Sequence, residues 1–131
     1  MRLISDSALA IITIWTEAQG EPEAGKIAVG EVIRNRMKSK FFSDGTIAGT
    51  VARRYQFSAW NDDQGDNDLL IRALRLNVED TKECADAWAW SQTSSLTKGA
   101  LLYVNLDVAH PAWATPDKFI TQIGQHSFYR P

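Results

Sequence analysis

The sequence predicts a single α+β domain that is mainly helical and carries a small β-sheet. The chain has 131 residues, of which 44% are hydrophobic, and this suits one compact core. Apolar residues recur with helical spacing through most of the chain, whereas short strand-like runs follow Gly99. We therefore expect residues 1–131 to form one domain.

The first predicted helix covers residues 8–18. Ser-Asp-Ser at residues 5–7 offers amino-terminal caps, and Gly20 is suited to end the helix. Glu17 would then lie in the last helical turn.

A second helix is predicted over residues 22–36. Pro22 fits a first helical turn, and the stripe of side chains that ends at Arg36 has amphipathic spacing. Ala24 and Ala28 would allow a neighbouring helix to approach closely. We expect the two helices to pair as an antiparallel hairpin.

The middle of the chain is predicted to hold shorter helices and an acidic loop. A turn is expected at residues 41–45. The helices are expected at residues 47–54, 69–76 and 81–91. The loop at residues 61–68 departs from the calcium-binding pattern in the order of its glycine and acidic residues, so it is interpreted as a solvated turn.

Two strand-like segments are predicted after Gly99, at residues 100–105 and 122–129. Pro111 and Pro116 favour loop between them. The two segments would form a small sheet beside the helical body.

Charge, cysteine content and hydropathy argue against several classes of protein. The net charge is −2, so no overall positive field attracts nucleic acid or anionic lipid, and neither is expected as a partner. One cysteine, Cys84, leaves no internal disulfide. The first residues make a poor signal peptide, and no run approaches the ~20 apolar residues that would span a bilayer.

The most informative single residue is Glu17, a carboxylate within the most apolar stretch of the chain, residues 11–21. On a helix it would stand on a mostly buried face. Burial would raise the pKa of Glu17 and make it a proton donor near neutral pH. The alternative is a structural ion pair with an arginine such as Arg34 or Arg54.

Other common catalytic arrangements do not occur in the sequence. His110 and His126 are not part of a His-Glu-x-x-His motif, and there is no cysteine pair for zinc. Cys84 lies in a Trp-rich helical segment, as a structural residue would. Neither a phosphate-binding glycine loop nor a Gly-x-Ser-x-Gly elbow is found. We therefore predict no metal and no cofactor.

What remains is the side-chain inventory of a glycosidase. An isolated acid is accompanied by amide, hydroxyl and aromatic groups of the kind that bind sugars. These side chains are Gln56, Ser58, Trp60, Tyr103, Asn105 and Trp113.

Four sequence blocks occur in order along nearly the whole chain. They are residues 14–36, which contain Glu17, Gln-Phe-Ser at 56–58, Gly-Ala-x-x-Tyr-x-Asn at 99–105, and Ile-Gly-x-His-x-Phe at 123–128. Each block resembles the corresponding motif of the SleB-like cell wall hydrolases. An accidental match of all four in order is improbable.

The resemblance implies a lysozyme-like domain that cuts peptidoglycan between N-acetylmuramic acid and N-acetylglucosamine. Glu17 would act as general acid and then as base. Water would complete a muramidase reaction, and the muramic acid's own 6-hydroxyl a lytic transglycosylase reaction. No second well-placed carboxylate is visible, which favours the intramolecular route. The expected saccharide-binding side chains are Gln56, Ser58, Trp60, Tyr103, Asn105 and His126.

The sequence departs from the commoner family motif at Thr16 and Gln19, where glycine and arginine are more usual. The acid is kept, but an arginine from elsewhere would have to replace the missing one. Glu21 and Glu23 are close by, and we expect them to serve the second helix rather than the reaction.

A catalytic domain of this kind resembles a phage endolysin, with a spore-cortex or wall-remodelling enzyme as the second interpretation. The expected partners are peptidoglycan and a holin, which would release the monomeric protein from the host cytoplasm to the cell wall in the periplasm. Two alternatives stay open: a zinc amidase or peptidase of the wall, and a non-catalytic peptidoglycan-binding module.

Overall fold

The computed structural model describes residues 5–53 and 78–131. The described helices are α1 (Asp6–Glu17), α2 (Glu23–Ser39), α3 (Ile47–Val51) and α4 (Val78–Trp90). The described strands are β1 (Leu102–Val104), β2 (Phe119–Ile123) and β3 (His126–Tyr129), and a 3₁₀ turn (Pro116–Lys118) precedes β2. The predicted fold class, mainly helical with a small sheet, is confirmed. The predictions for residues 61–68 and 69–76 lie outside the described residues.

Helix α1 begins and ends as its flanking residues predict. The Ser5 hydroxyl accepts a hydrogen bond from the Ala8 amide at 3.2 Å, which satisfies one of the free amides of the first turn. Gly20, just beyond the helix, has a φ of 75°, a conformation that costs glycine little. The most deeply buried apolar residues on this helix and its carboxyl cap are Ala10, Ile14 and Ala18.

Helix α2 lies between the other helices and the sheet. On one side Val29 and Ile33 belong to the cluster formed with α1 and α4. On the other side Ala28 and Val32 pack with Phe128 of β3. A helix that is buried on both sides fixes the sheet relative to α1, which carries Glu17 at its last position.

Glu31 of α2 is a buried carboxylate, 3% exposed, that holds the segment after α4. It accepts hydrogen bonds from the amides of Leu96 at 2.8 Å and Thr97 at 2.9 Å. The hydroxyls of Ser94 and Thr97 donate two further bonds. These donors compensate a charge whose burial would otherwise be costly, and they fix residues 94–97 just before β1.

The three strands form an antiparallel sheet in the order β1-β3-β2. Tyr103 of β1 pairs with Phe128 of β3, and β2 pairs with β3 as a hairpin. The prediction of one strand over residues 122–129 is wrong, because the chain reverses at Gly124. The φ of Gly124 is 59°, which glycine adopts readily in a turn.

Within residues 5–53 and 78–131, no helix is both long enough and apolar enough to cross a bilayer.

Candidate active site

Glu17 ends α1 with a half-buried side chain, and a phenol from the sheet reaches it. The Tyr103 hydroxyl donates a hydrogen bond to Glu17 Oε1 at 2.7 Å. This contact joins residues 86 positions apart in the chain. Two predicted site residues, one from the first sequence block and one from the third, are therefore brought together.

Tyr103 is held in an aromatic layer and stays protonated. Its ring centroid lies 4.9 Å from that of His126 and 5.6 Å from that of Phe128. Burial raises the pKa of Tyr103 well above its usual value, and the negative charge of Glu17 raises it further. The phenol is therefore a hydrogen-bond donor to Glu17 throughout the neutral pH range.

Arg36 of α2 supplies positive charge beside this pair. Its Nε donates to the Leu101 carbonyl at 2.8 Å, and the side chain is buried. Burial lowers the pKa of Arg36, while electrostatic interactions with Tyr103 and Glu17 act in the opposite direction. Arg36, in the last turn of the central helix, is thus a cation whose charge acts on Glu17, whereas the sequence indicated it only as part of a helical stripe.

Arg34, one of the two arginines proposed as an ion-pair partner for Glu17, is engaged elsewhere. Its Nε donates to Ser91 Oγ at 2.7 Å and its Nη2 to the Trp88 carbonyl at 2.6 Å. Its guanidinium also lies 3.6 Å from the centre of the Trp88 ring. The other proposed partner, Arg54, lies outside the described residues.

Glu21 is a buried carboxylate that holds the turn between β2 and β3. Both of its oxygens accept from the Gln125 amide, at 3.0 and 3.2 Å. A side chain at Gly124 would collide with this carboxylate, because a Cβ built there lies 2.1 Å from Oε2. Glu21 therefore acts on the hairpin, not on α2 as the sequence led us to expect.

His126 lies behind Tyr103, 9% exposed, and faces Glu21. Its Nδ1 is 3.5 Å from Glu21 Oε1. Burial lowers the pKa of His126, and the negative charge of Glu21 opposes this shift. Among the described residues, His126 therefore contacts Glu21 and Tyr103, which support the site. It packs against the ring of Tyr103, whose hydroxyl binds Glu17.

The other predicted saccharide-binding residues are placed differently. Asn105 follows β1 at the edge of the sheet, where its Oδ1 accepts from the Asp107 amide at 2.9 Å and its Nδ2 lies 3.4 Å from Gln125 Oε1. Trp113 packs edge-on against Tyr129, with ring centroids 5.5 Å apart. The remaining three, Gln56, Ser58 and Trp60, lie outside the described residues.

A cavity of about 540 Å³ adjoins Tyr103 on the described surface. It is lined by Arg36, Phe41, Phe42, Leu102, Tyr103, Trp113 and Pro131. Phe41 and Phe42 have no role in the predictions from sequence, where they belong to a turn after α2. The sequence signal that could have indicated a role for them is a pair of adjacent aromatic residues close to an acidic residue.

Phe42 combines exposure with an unfavourable backbone conformation. It is 45% exposed and has a φ of 47°. The left-handed region costs a residue with a side chain roughly 1–2 kcal/mol, and such conformations cluster at functional sites. The ring is held edge-on against Phe41, with centroids 4.6 Å apart.

Histidine, cysteine and acidic side chains do not come together as a metal site in the part of the chain that the structure describes. No three of them are grouped closely enough to share an ion. His126 and Glu21 approach each other, but the amide of Gln125 already occupies the Glu21 carboxylate.

The sequence model of the Cell Wall Hydrolase family matches residues 20–129 of this chain. This range covers most of the chain and includes α2, the sheet and all the residues that line the cavity except Pro131. The chain belongs to the Cell Wall Hydrolase family. Glu17 lies just before the matched range, so the match does not itself assign a role to this residue.

Curated relatives are similar to this chain along nearly its whole length. The spore cortex-lytic enzyme of Oceanobacillus iheyensis is 33% identical over 95% of this chain and 41% of its own length. That of Bacillus subtilis is 29% identical over 95% of this chain and 37% of its own length. The chain thus spans about two fifths of the relatives that it matches.

Two solved structures share the fold of this Cell Wall Hydrolase. The catalytic domain of the germination-specific lytic transglycosylase SleB from Bacillus anthracis superposes with a TM-score of 0.73 at 30% identity, covering 95% of this chain and 93% of that one. The catalytic domain of SleB from Bacillus cereus gives 0.72 at 29% identity, covering 99% and 94%. The predictions of a SleB-like fold and of an enzyme domain are confirmed.

We expect Tyr103→Phe to lower kcat about tenfold, as the loss of one hydrogen bond to a carboxylate would. The phenol stabilises the charged form of Glu17 more than the protonated form. Without it, Glu17 would keep its proton to higher pH, and the alkaline limb of the pH–activity profile should move upward. Turbidity assays on purified cell walls across a pH series measure both effects.

Tyr129→Phe is the matched control for Tyr103→Phe, because it removes a phenol from the same sheet without a contact to Glu17. Its pH profile should coincide with that of the unsubstituted protein. If the Tyr103→Phe profile also coincided, the hydrogen bond between Tyr103 and Glu17 would have no part in the reaction.

Proposed function

We propose that this chain is a lytic transglycosylase domain that cuts peptidoglycan between N-acetylmuramic acid and N-acetylglucosamine. The single observation that carries the proposal is the half-buried Glu17, held by the Tyr103 phenol at 2.7 Å. A carboxyl group in this position, in the fold of a SleB catalytic domain, suits the transfer of a proton to a glycosidic oxygen.

In the proposed reaction Glu17 begins protonated. It gives its proton to the oxygen of N-acetylglucosamine as the bond from that oxygen to C1 of N-acetylmuramic acid breaks. The 6-hydroxyl of the same muramic acid forms the new bond to C1, and its proton returns to Glu17. The products are a 1,6-anhydro-muramic end and a free N-acetylglucosamine end, and the carboxyl group is ready for another cycle.

The hydrogen bonds that Glu21 accepts from Gln125 support attack by the muramic 6-hydroxyl over attack by water. A second carboxylate would help to activate a water molecule or to form a covalent intermediate. Glu21, close to Glu17 in sequence, is buried and bound to the Gln125 amide. Glu23 is exposed in the first turn of α2. The positive charge of Arg36 beside Glu17 would favour the carboxylate that forms after proton transfer.

Mass spectrometry of digested peptidoglycan tests the reaction directly. The proposal predicts fragments with 1,6-anhydro-muramic ends. Fragments with reducing muramic ends would contradict the proposal and indicate the muramidase reaction instead. An intact glycan with newly freed amino groups would favour the zinc amidase or peptidase, and binding to cell walls with no product would favour the non-catalytic module.

The names of the relatives bear on the biological setting. The sequence led us to expect a phage endolysin that a holin releases from the host cytoplasm, whereas the relatives described above are spore cortex-lytic enzymes. We therefore propose spore cortex as the first substrate to test and retain the host wall as the second.

Two assays separate these settings. A cortex enzyme should degrade the cortex of decoated spores when it is added as purified protein. An endolysin should lyse growing bacteria only when it is co-expressed with a holin, because the protein would act on the wall from outside the cytoplasm. Lysis of holin-expressing cells with no effect on spores would favour a phage endolysin over a cortex enzyme.

A further inference from the structure

The cavity beside Tyr103 is lined by two residues that interact with Glu17, although Glu17 itself is not part of the lining. Tyr103 presents its hydroxyl to Glu17 at 2.7 Å and also lines the cavity. Arg36 also lines the cavity, and its charge interacts with that of Glu17. A ligand in the cavity would therefore contact two residues that also interact with Glu17.

The lining of the cavity has the composition of a sugar site. Its volume of about 540 Å³ lies in the range of small-molecule sites, roughly 300–1,000 Å³. Phe42 and Trp113 contribute aromatic surface for the apolar C–H face of a pyranose ring. Arg36 adds a cationic group to a wall whose other residues are aromatic or aliphatic, and sites for ligands with both polar and apolar faces combine such groups.

Phe42 combines a costly backbone conformation with a partly exposed ring. A phenylalanine with a φ of 47° and 45% exposure neither follows backbone preference nor buries its ring fully. Phe41 holds one edge of the ring, and the Arg53 guanidinium lies 5.7 Å from its centre. These contacts keep the ring in a defined orientation at the mouth of the cavity.

We propose that this cavity is a saccharide subsite that binds an N-acetylhexosamine ring of the glycan strand, adjacent to the linkage that Glu17 cleaves. The inference rests on the proposed function and adds Phe42 and Trp113 as residues that recognise the strand. The occupant is a sugar of the glycan and not a peptide stem, because aromatic faces beside the site of glycosidic cleavage suit a pyranose ring.

Kinetics on peptide-free glycan strands of alternating N-acetylglucosamine and N-acetylmuramic acid test the subsite. We expect Phe42→Ala and Trp113→Phe each to raise KM, Phe42→Ala by about tenfold, as the loss of one stacking residue would. The kcat should stay within about twofold, because Glu17 and Tyr103 are unchanged. Phe42→Leu, which keeps an apolar side chain without a planar ring, should raise KM similarly and guards against a folding defect in the alanine variant.

Phe119→Ala is the matched control. Phe119 is also 45% exposed, but it lies on β2 and does not line the cavity. Its KM should equal that of the unsubstituted protein. Circular dichroism melts on each variant establish that the proteins compared are folded.

Direct binding separates failure of the subsite from failure of the proposed function. Calorimetric titration of the same strands into Glu17→Gln should give measurable affinity, and adding Phe42→Ala should weaken it about tenfold. If the unsubstituted protein cleaves glycan but Phe42→Ala behaves as Phe119→Ala does, the subsite is refuted while the proposed function stands. If the unsubstituted protein cleaves no glycan, the proposed function fails, and the titration still decides whether Phe42 binds sugar.

Discussion

The Glu17→Gln variant is expected to lose activity on purified peptidoglycan by about 10² to 10⁴-fold, the usual contribution of a general acid. Glutamine has nearly the same shape and can still accept the hydrogen bond that Tyr103 donates, but it has no carboxyl proton to transfer. The fold should therefore be preserved while the reaction is lost. The rate of decrease in turbidity of a cell-wall suspension measures the effect.

Glu23→Gln is the matched control for Glu17→Gln. It removes the charge of a neighbouring glutamate that is exposed at the start of α2. We expect full activity in this variant and an unchanged thermal melt in both. Near-normal turbidity loss with Glu17→Gln would show that another group supplies the proton.

The Glu31→Ala variant is expected to lower the free energy of unfolding by more than about 3 kcal/mol, because two amides and two hydroxyls lose a charged acceptor. The amides of Leu96 and Thr97 would be left without this partner in a buried setting. For a domain of this size the melting temperature should fall by about 10 °C. Urea unfolding followed by circular dichroism gives the free energy.

Glu83→Ala provides the comparison, since it deletes an equal side chain from the surface of α4. Glu83 pairs with Lys26 at 3.4 Å and is 54% exposed, so we expect a change within about 0.5 kcal/mol. Equal stabilities for the Glu31 and Glu83 variants would mean that residues 94–97 are held by other contacts.

The helices could be predicted because their signals are local. The Ser5 cap, the glycine after α1 and the spacing of apolar residues in α2 all act within a few positions of the chain. The turn at Gly124 was missed because its apolar flanks read as one continuous strand. What selects the turn is the Glu21 carboxylate, 104 positions away from the Gln125 amide that it binds, and no local pattern contains that contact.

In the candidate site, too, individual residues could be predicted from sequence, whereas contacts between distant residues could not. The order of sequence blocks pointed to Glu17 and Tyr103, but not to the hydrogen bond between them. Arg36 looked like one member of a helical stripe, because its proximity to Glu17 depends on how α2 crosses α1 and the sheet. Phe42 looked like a turn residue, since neither its left-handed backbone nor the cavity beside it can be seen in sequence.

The long separation between Glu17 and Tyr103 also has a kinetic consequence. Contacts between distant parts of a chain must overcome the entropy of closing a large loop, and they form late in folding. Synthesis proceeds at about 5–20 residues per second, so a growing chain carries Glu17 for several seconds before Tyr103 exists. The hydrogen bond from Tyr103 to Glu17 can form only when β1 has paired with β3 and packed on α2. Full activity should therefore appear only after β3 has been made and the sheet has packed on α2.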